Sequence, residues 1–202
     1  MARIDPPENP SPLTRLAWTM ARRQMGGTLG EPVRVMAHSP LLMHGYGGFE
    51  MAFQRAKRAP KRLLLLAELK AGAFCGCEWC MDYGSFVAHR EGGITDEQLR
   101  ELPRFRESDA FTEEEKLVLE YAEGISRTPV EVPEELFERL RQRFDEAEIV
   151  ELTWAAAIEN MRARFNWALG IESQGYAEGS ACVVPETLPE AATVEAPSPS
   201  RR

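Results

Sequence analysis

Two thiols three residues apart, Cys77 and Cys80, are the part of this sequence best suited to chemistry. On a helix that spacing puts both sulfurs on one face, close enough for a disulfide after small adjustment. Gly76, just before them, breaks the preceding helix, so the pair falls in the first turn of the next. The unpaired N–H groups and the positive end of the helix dipole stabilise a thiolate there. A thiolate attacks a peroxide or a disulfide, and a second thiol then closes the sulfenic acid as a disulfide before it over-oxidises. Cys75, two residues upstream, reads as a buried or spare thiol, and Cys182 as an isolated one. The competing reading is zinc held by Cys75, Cys77 and Cys80 with His89 or Cys182. Three ligands crowded on one helix start cannot easily surround an ion, so no metal and no organic cofactor are expected.

The bulk of the chain sets the context for that pair. With 202 residues, 44% hydrophobic and 28% charged, it has enough apolar material for one core. A net charge of −8 argues against nucleic acid as the partner. The basic clusters Arg22-Arg23 and Lys57, Arg58, Lys61, Arg62 read as solvated helix faces. The most apolar run, residues 63–67, is cut by Glu68, far short of the ~20 residues of a membrane span. The first residues lack the apolar core of a signal peptide. The expectation is a cytoplasmic protein away from membranes, where thiols stay reduced and clustered cysteines signal redox or metal chemistry.

The elements that must position the pair read as helices throughout, about seven or eight of them, with no alternating pattern that would make a strand. Residues 1–12, with four prolines, form a flexible arm. Helices are expected over residues 13–25, over 41–58 with a weak spot at Gly45, Gly47 and Gly48, and from Pro60 through 73, with 30–39 as a loop. The helix of the cysteine pair ends at Gly92-Gly93. Thr95 with Gln98, and Thr112 with Glu115, have the spacing of capping boxes. Further helices open at Pro133 and at Asp145, the last carrying Ile149, Leu152, Ala156, Ile158, Met161, Phe165 and Leu169 up to Gly170. One helical domain thus spans 13–184, and residues 185–202, rich in Pro, Ala, Glu and Ser, form a disordered tail.

The run from Glu68 through Cys75-Gly76-Cys77-Glu78-Trp79-Cys80 to Asp82, followed by Gly92-Gly93-Ile94-Thr95-Asp96-Glu97-Gln98-Leu99, resembles the core of the carboxymuconolactone decarboxylase and alkylhydroperoxidase D superfamily. The likeness is strong over residues 60–102 and looser over 35–53 and 111–170. It implies an all-α, alkylhydroperoxidase D-like fold and a homo-oligomer, a trimer or hexamer. By position it gives Cys80 the role of nucleophile and Cys77 that of resolving thiol. The substrate implied is a hydroperoxide or a disulfide, with an unidentified dithiol as electron donor. The peroxidase branch also uses a histidine four residues after the second cysteine and a glutamate twelve before the first. Those positions hold Gly84 and Leu65. Glu68, one turn beyond Leu65, is the candidate relay carboxylate. His89 lies on the opposite face from Cys80, and Tyr83 is a weak base.

Three functions from different classes follow. The first is a thiol-dependent oxidoreductase. The second is a silent helical scaffold or redox sensor, motivated by the missing histidine. The third is a proton-transfer enzyme of the carboxymuconolactone decarboxylase type, with Glu68 or His38 as base. Asp82 reads as structural, Trp79 as packing or as a shield over the thiolate, and His44, like His38, as a surface histidine.

Overall fold

A computed structural model describes residues 2–184 and 186 of the chain. Nine α-helices run through the described residues, with no strand among them: α1 (Pro12–Gln24), α2 (Glu31–Met36), α3 (Pro40–Phe53), α4 (Lys61–Phe74), α5 (Glu78–Val87), α6 (Asp96–Glu101), α7 (Glu113–Ser126), α8 (Glu134–Arg141) and α9 (Glu146–Leu169). The architecture is all-α, as expected. None of these helices is long and apolar enough to cross a membrane.

The helix starts follow local chemistry. Ser11 accepts the Thr14 N–H at 3.1 Å and opens α1, with Pro12 in the first turn. Thr95, Thr112 and Asp145 each form a complete capping box, with Gln98, Glu115 and Glu148. Gly170, at φ 63°, ends α9 in the left-handed conformation that glycine adopts without strain.

Two expectations about the elements need correction. Residues 31–36 form α2 and not a loop, because Pro32 sits in the first turn, where its missing N–H costs nothing. The glycines at 45, 47 and 48 do not interrupt α3; it ends earlier than expected, at Phe53. In α9, which contains the expected residues, the buried stripe also carries Glu159, Ala163 and Asn166, while Met161 is exposed. The helix of the cysteine pair reaches Gly92 as expected, its last turn widening into a π-turn over Ala88–Gly92.

Helix α4 is the centre of the molecule. Ten of its residues are buried, on every side, among them Leu63, Leu64, Leu65, Leu66 and Leu69, and it packs against α9, α7 and α5. A helix apolar all round belongs in a core. Lys70 is nonetheless buried on α4. Its ammonium meets Glu123 at 3.0 Å, Glu186, and the Phe105 ring, whose centroid is 4.7 Å away. A smaller cluster of Met25, Cys77, Trp79, Cys80, Ala163 and Ile171 lies apart from this core and encloses the thiol pair.

Two backbone contacts tie Arg3 and Glu186 to the helical body. The Arg3 N–H donates to the Leu169 carbonyl at 2.7 Å, and the Glu186 N–H to the Ala73 carbonyl at 3.2 Å. The tail expected at 185–202 lies outside the described residues apart from Glu186.

Candidate active site

The turn between α4 and α5 sets the site. Gly76, at φ 64°, reverses the chain after α4. Cys77 then becomes the N-cap of α5, its sulfur accepting the Cys80 N–H at 3.3 Å. Cys77 and Cys80 are joined as a disulfide with Cα atoms 5.2 Å apart. Both are buried, and Asn166 from α9 reaches across to them. Its Nδ2 lies 3.6 Å from the Cys77 sulfur and 3.5 Å from that of Cys80. The sulfurs therefore sit between a helix N-terminus and an amide donor, both of which favour negative charge on sulfur.

Only one of the two sulfur residues faces open space. A cavity of about 1170 Å³ is lined by Cys80 but not Cys77, together with Met25, Leu65, Trp79, Tyr83, Phe165 and others. Leu65 and Gly84, which occupy the positions of the absent relay residues, both line it. So do Glu68, Glu159 and Arg162.

Those three belong to a buried charge cluster. Arg162 donates to Glu68 at 2.6 Å, to Glu159 at 2.8 Å, to both oxygens of Glu50 at 2.6 and 2.7 Å, and to the Tyr46 hydroxyl at 2.9 Å. One guanidinium cannot neutralise three carboxylates, and burial penalises each negative charge. Burial therefore pushes the Glu68 carboxyl up to about 7, against the pull of Arg162 and with the help of the Glu159 charge. Glu159 is also raised, chiefly by burial. Arg162 is desolvated too, but Glu68, Glu159 and Glu50 hold it charged. Burial likewise pushes the Tyr83 hydroxyl up to about 12, which removes it as a base.

Gly72 brings this cluster close to the thiol pair. A Cβ at Gly72 would lie 3.3 Å from Cβ of Cys80 and 3.4 Å from Oε1 of Glu159. With only a hydrogen there, the α9 carboxylate and Cys80 flank the same point of α4.

The remaining candidates lie elsewhere. Cys75 donates to Asn160 at 3.5 Å beside Arg164, and burial raises its thiol. His89 contacts Asp96 at 3.2 Å and the Ala181 carbonyl at 3.3 Å, and Cys182 contacts Ser85 at 3.7 Å. Cys75 packs against the cluster of the pair, His89 and Cys182 do not, and no metal-ligand cluster occurs among the described residues. His38 is exposed against the Asp5 carbonyl and does not line the cavity, whereas His44 does. Asp82 is structural. Its carboxylate accepts from Ser173 and from the Gln174 and Ala177 N–H groups at 2.8–2.9 Å. Burial alone would raise it, but these donors pull it below the ordinary range. The Trp79 indole donates to Gln174 at 2.8 Å and the ring stacks on Tyr83.

The sequence profile of the carboxymuconolactone decarboxylase family matches residues 40–124. The chain is also 33% identical over 184 residues to the uncharacterised protein YnjA of Escherichia coli, covering 90% of this chain and 97% of YnjA. The chain belongs to the carboxymuconolactone decarboxylase family. Its fold is the alkylhydroperoxidase D-like one. A crystal structure of the debrominase Bmp8 with 2,3,4-tribromopyrrole superposes with a TM-score of 0.73 at 22% identity, over 85% of this chain and 90% of that one. A protein from Agrobacterium tumefaciens, proposed as an antioxidant-defence protein of this type, gives a TM-score of 0.61 at 26% identity, over 68% and 94%. In this chain the cavity that Cys80 lines also holds Glu50, Glu68 and Glu159, of which sequence reasoning singled out only Glu68. Glu159, Arg162 and Asn166 carried one signal. Glu159 and Asn166 continue the buried stripe that begins at Leu152 and Ala156, so polar side chains fall where apolar ones would pack, and Arg162 flanks it.

Proposed function

We propose that the protein is a thiol-dependent oxidoreductase acting on a hydroperoxide or a disulfide, with Cys80 as nucleophile and Cys77 as resolving thiol. The observation that carries this reading is that Cys80 lines the cavity while Cys77, bonded to it, does not. With a hydroperoxide, the Cys80 thiolate attacks the terminal oxygen, the O–O bond breaks, and the products are a Cys80 sulfenic acid and an alkoxide that takes up one proton. The Cys77 thiol then displaces the hydroxyl as water and forms the disulfide. A dithiol donor returns two electrons and two protons.

Glu68 and Glu159 manage the proton in this reading. A carboxyl near 7 accepts the proton of the Cys80 thiol and returns it to the alkoxide, which is what a general acid–base of matched pKa does. Arg162 keeps both carboxyls in position. The pair thus replaces the histidine and glutamate absent at Gly84 and Leu65.

Mass and thiol counting on the reduced chain after one equivalent of cumene hydroperoxide tests the proposal. Rapid loss of two thiols, mapped to Cys77 and Cys80 and abolished in Cys80→Ser, is the expected result. Unchanged thiols after many minutes would overturn it.

A second reading is favoured by the raised carboxyl itself: proton transfer on an organic substrate in the same cavity, with Glu68 as base. Turnover that survives the Cys77→Ser, Cys80→Ser double variant and is lost in Glu68→Gln would select it. Homo-oligomerisation is supported by the exposed apolar residues Leu41 and Leu42 on α3 and Trp154 and Trp167 on α9.

A further inference from the structure

The cavity beside Cys80 is far larger than hydrogen peroxide needs, exceeding the roughly 300–1,000 Å³ of pockets that take drug-sized ligands. Near the sulfur its wall is apolar, formed by Met25, Trp79, Tyr83 and Phe165, which pack in the same cluster as Cys80. Met20, Met43, Met51 and Leu64 extend that wall. Methionine side chains adapt to ligands of irregular shape.

Charge is distributed unevenly over the lining. Inside, Arg162 is saturated by three carboxylates and offers nothing to a further anion. The exposed part carries Arg23, Lys57, Arg58, Lys61 and Arg90 against one exposed acid, Glu91. Glu91 is taken by Lys61, and Arg58 is paired with Asp145. Arg23, Lys57 and Arg90 form no ion pair among the described residues. All three line the same cavity. Arg90 Nη1 is 3.7 Å from the Cβ position of Gly26, which follows Arg23 by three residues. On its other side Arg90 adjoins Glu91, whose partner Lys61 follows Lys57 by four. A basic mouth on a chain of net charge −8 runs against the overall composition.

We infer that this cavity binds an amphipathic organic anion, its apolar body along the methionine and aromatic wall and its headgroup at Arg23, Lys57 and Arg90. This names the substrate class of the proposed thiol site and rests on that reading only for the reaction at Cys80. Binding stands on the cavity and its rim.

Calorimetric titration of the oxidised full-length chain separates the two. Octanoate, decanoate and dodecanoate, each below its micellar concentration, bind one per chain. Each added methylene tightens binding about fourfold, the equivalent of about 0.8 kcal/mol per buried CH₂. Decyltrimethylammonium binds at least tenfold more weakly than decanoate. The exposed double variant Lys57→Gln, Arg90→Gln loses most of that preference at unchanged melting temperature. No binding, equal binding of the cation, many ligands per chain or no dependence on chain length would each overturn the inference. Decanoate binding with inert thiols would sink the redox reading alone, and active thiols without decanoate binding would sink this one alone.

Discussion

The amide of Asn166 donates from α9 to the Cys80 sulfur at 3.5 Å, at the same place where the first turn of α5 presents its positive end. Hydrogen bonds to a charged group contribute about 1.5–3 kcal/mol, or about one to two pKa units. Asn166→Ala is therefore expected to raise the Cys80 thiol by that amount. The pH dependence of iodoacetamide labelling, in a background lacking Cys75 and Cys182, measures it. An unchanged profile would remove Asn166 from the site.

Glu68 gives a signature in both rate and stability. Its carboxyl is raised from 4.5 to about 7, so the folded state holds the proton more tightly than the unfolded chain. The resulting stabilisation is complete below about pH 4.5 and is lost as pH rises through about 7. Glu68→Gln should flatten the fall in melting temperature between pH 5 and 8. If Glu68 accepts the Cys80 proton, the oxidation rate rises with pH through about 7 in the parent, and this inflection disappears in the variant. Stopped-flow tryptophan fluorescence follows that rate.

Arg162 holds three buried carboxylates together, so its removal is more damaging than the loss of any one of them. Breaking a buried pair from one side costs about 3–5 kcal/mol. Arg162→Leu is expected to lower urea stability by that much at pH 7.5. The deficit should shrink at pH 5, where Glu68 is protonated. A deficit independent of pH would mean that packing, not charge, sets the loss.

Glu123 tests the opposite sign. It accepts from Arg106 at 2.9 Å and Arg127 at 2.8 Å and pairs with Lys70 at 3.0 Å. Burial raises its carboxyl, but these cations outweigh burial and hold it down to about 2. Its stabilisation is present above about pH 4.5 and is lost as pH falls through about 2. A shift of this size is worth on the order of 3 kcal/mol. Glu123→Gln should lose roughly that at pH 6 and almost nothing at pH 2, read by urea unfolding at both pH values.

Local signals carried most of this architecture. Capping at Thr95, Thr112 and Asp145 and the glycine stops at Gly93 and Gly170 are short-range chemistry, and they fall where spacing puts them. The cysteine pair at a helix start is equally local. The partners of that pair are not. Asn166 lies 86 residues from Cys80, and Arg162 lies 94 from Glu68 and 112 from Glu50. Only the packing of α9 on α4 and α5 joins them, and helical periodicity in one segment does not say which neighbour its face will meet. Helix α2 was missed for a different reason. Its six residues after Gly30 are too few to carry a recognisable period.

The hydrogen bonds of Asp82 bear on how this protein can be cut and joined. Its buried carboxylate depends on Ser173, Gln174 and Ala177, all well past the last residue matched by the family profile. A fragment trimmed to that profile, or to the end of α9, would leave a carboxylate in the interior with none of these donors. It would also lose the Gln174 acceptor that fixes Trp79 over the cavity. The smallest portable unit therefore extends past Ala177 to Glu186, the partner of buried Lys70, and a fusion partner belongs beyond that point.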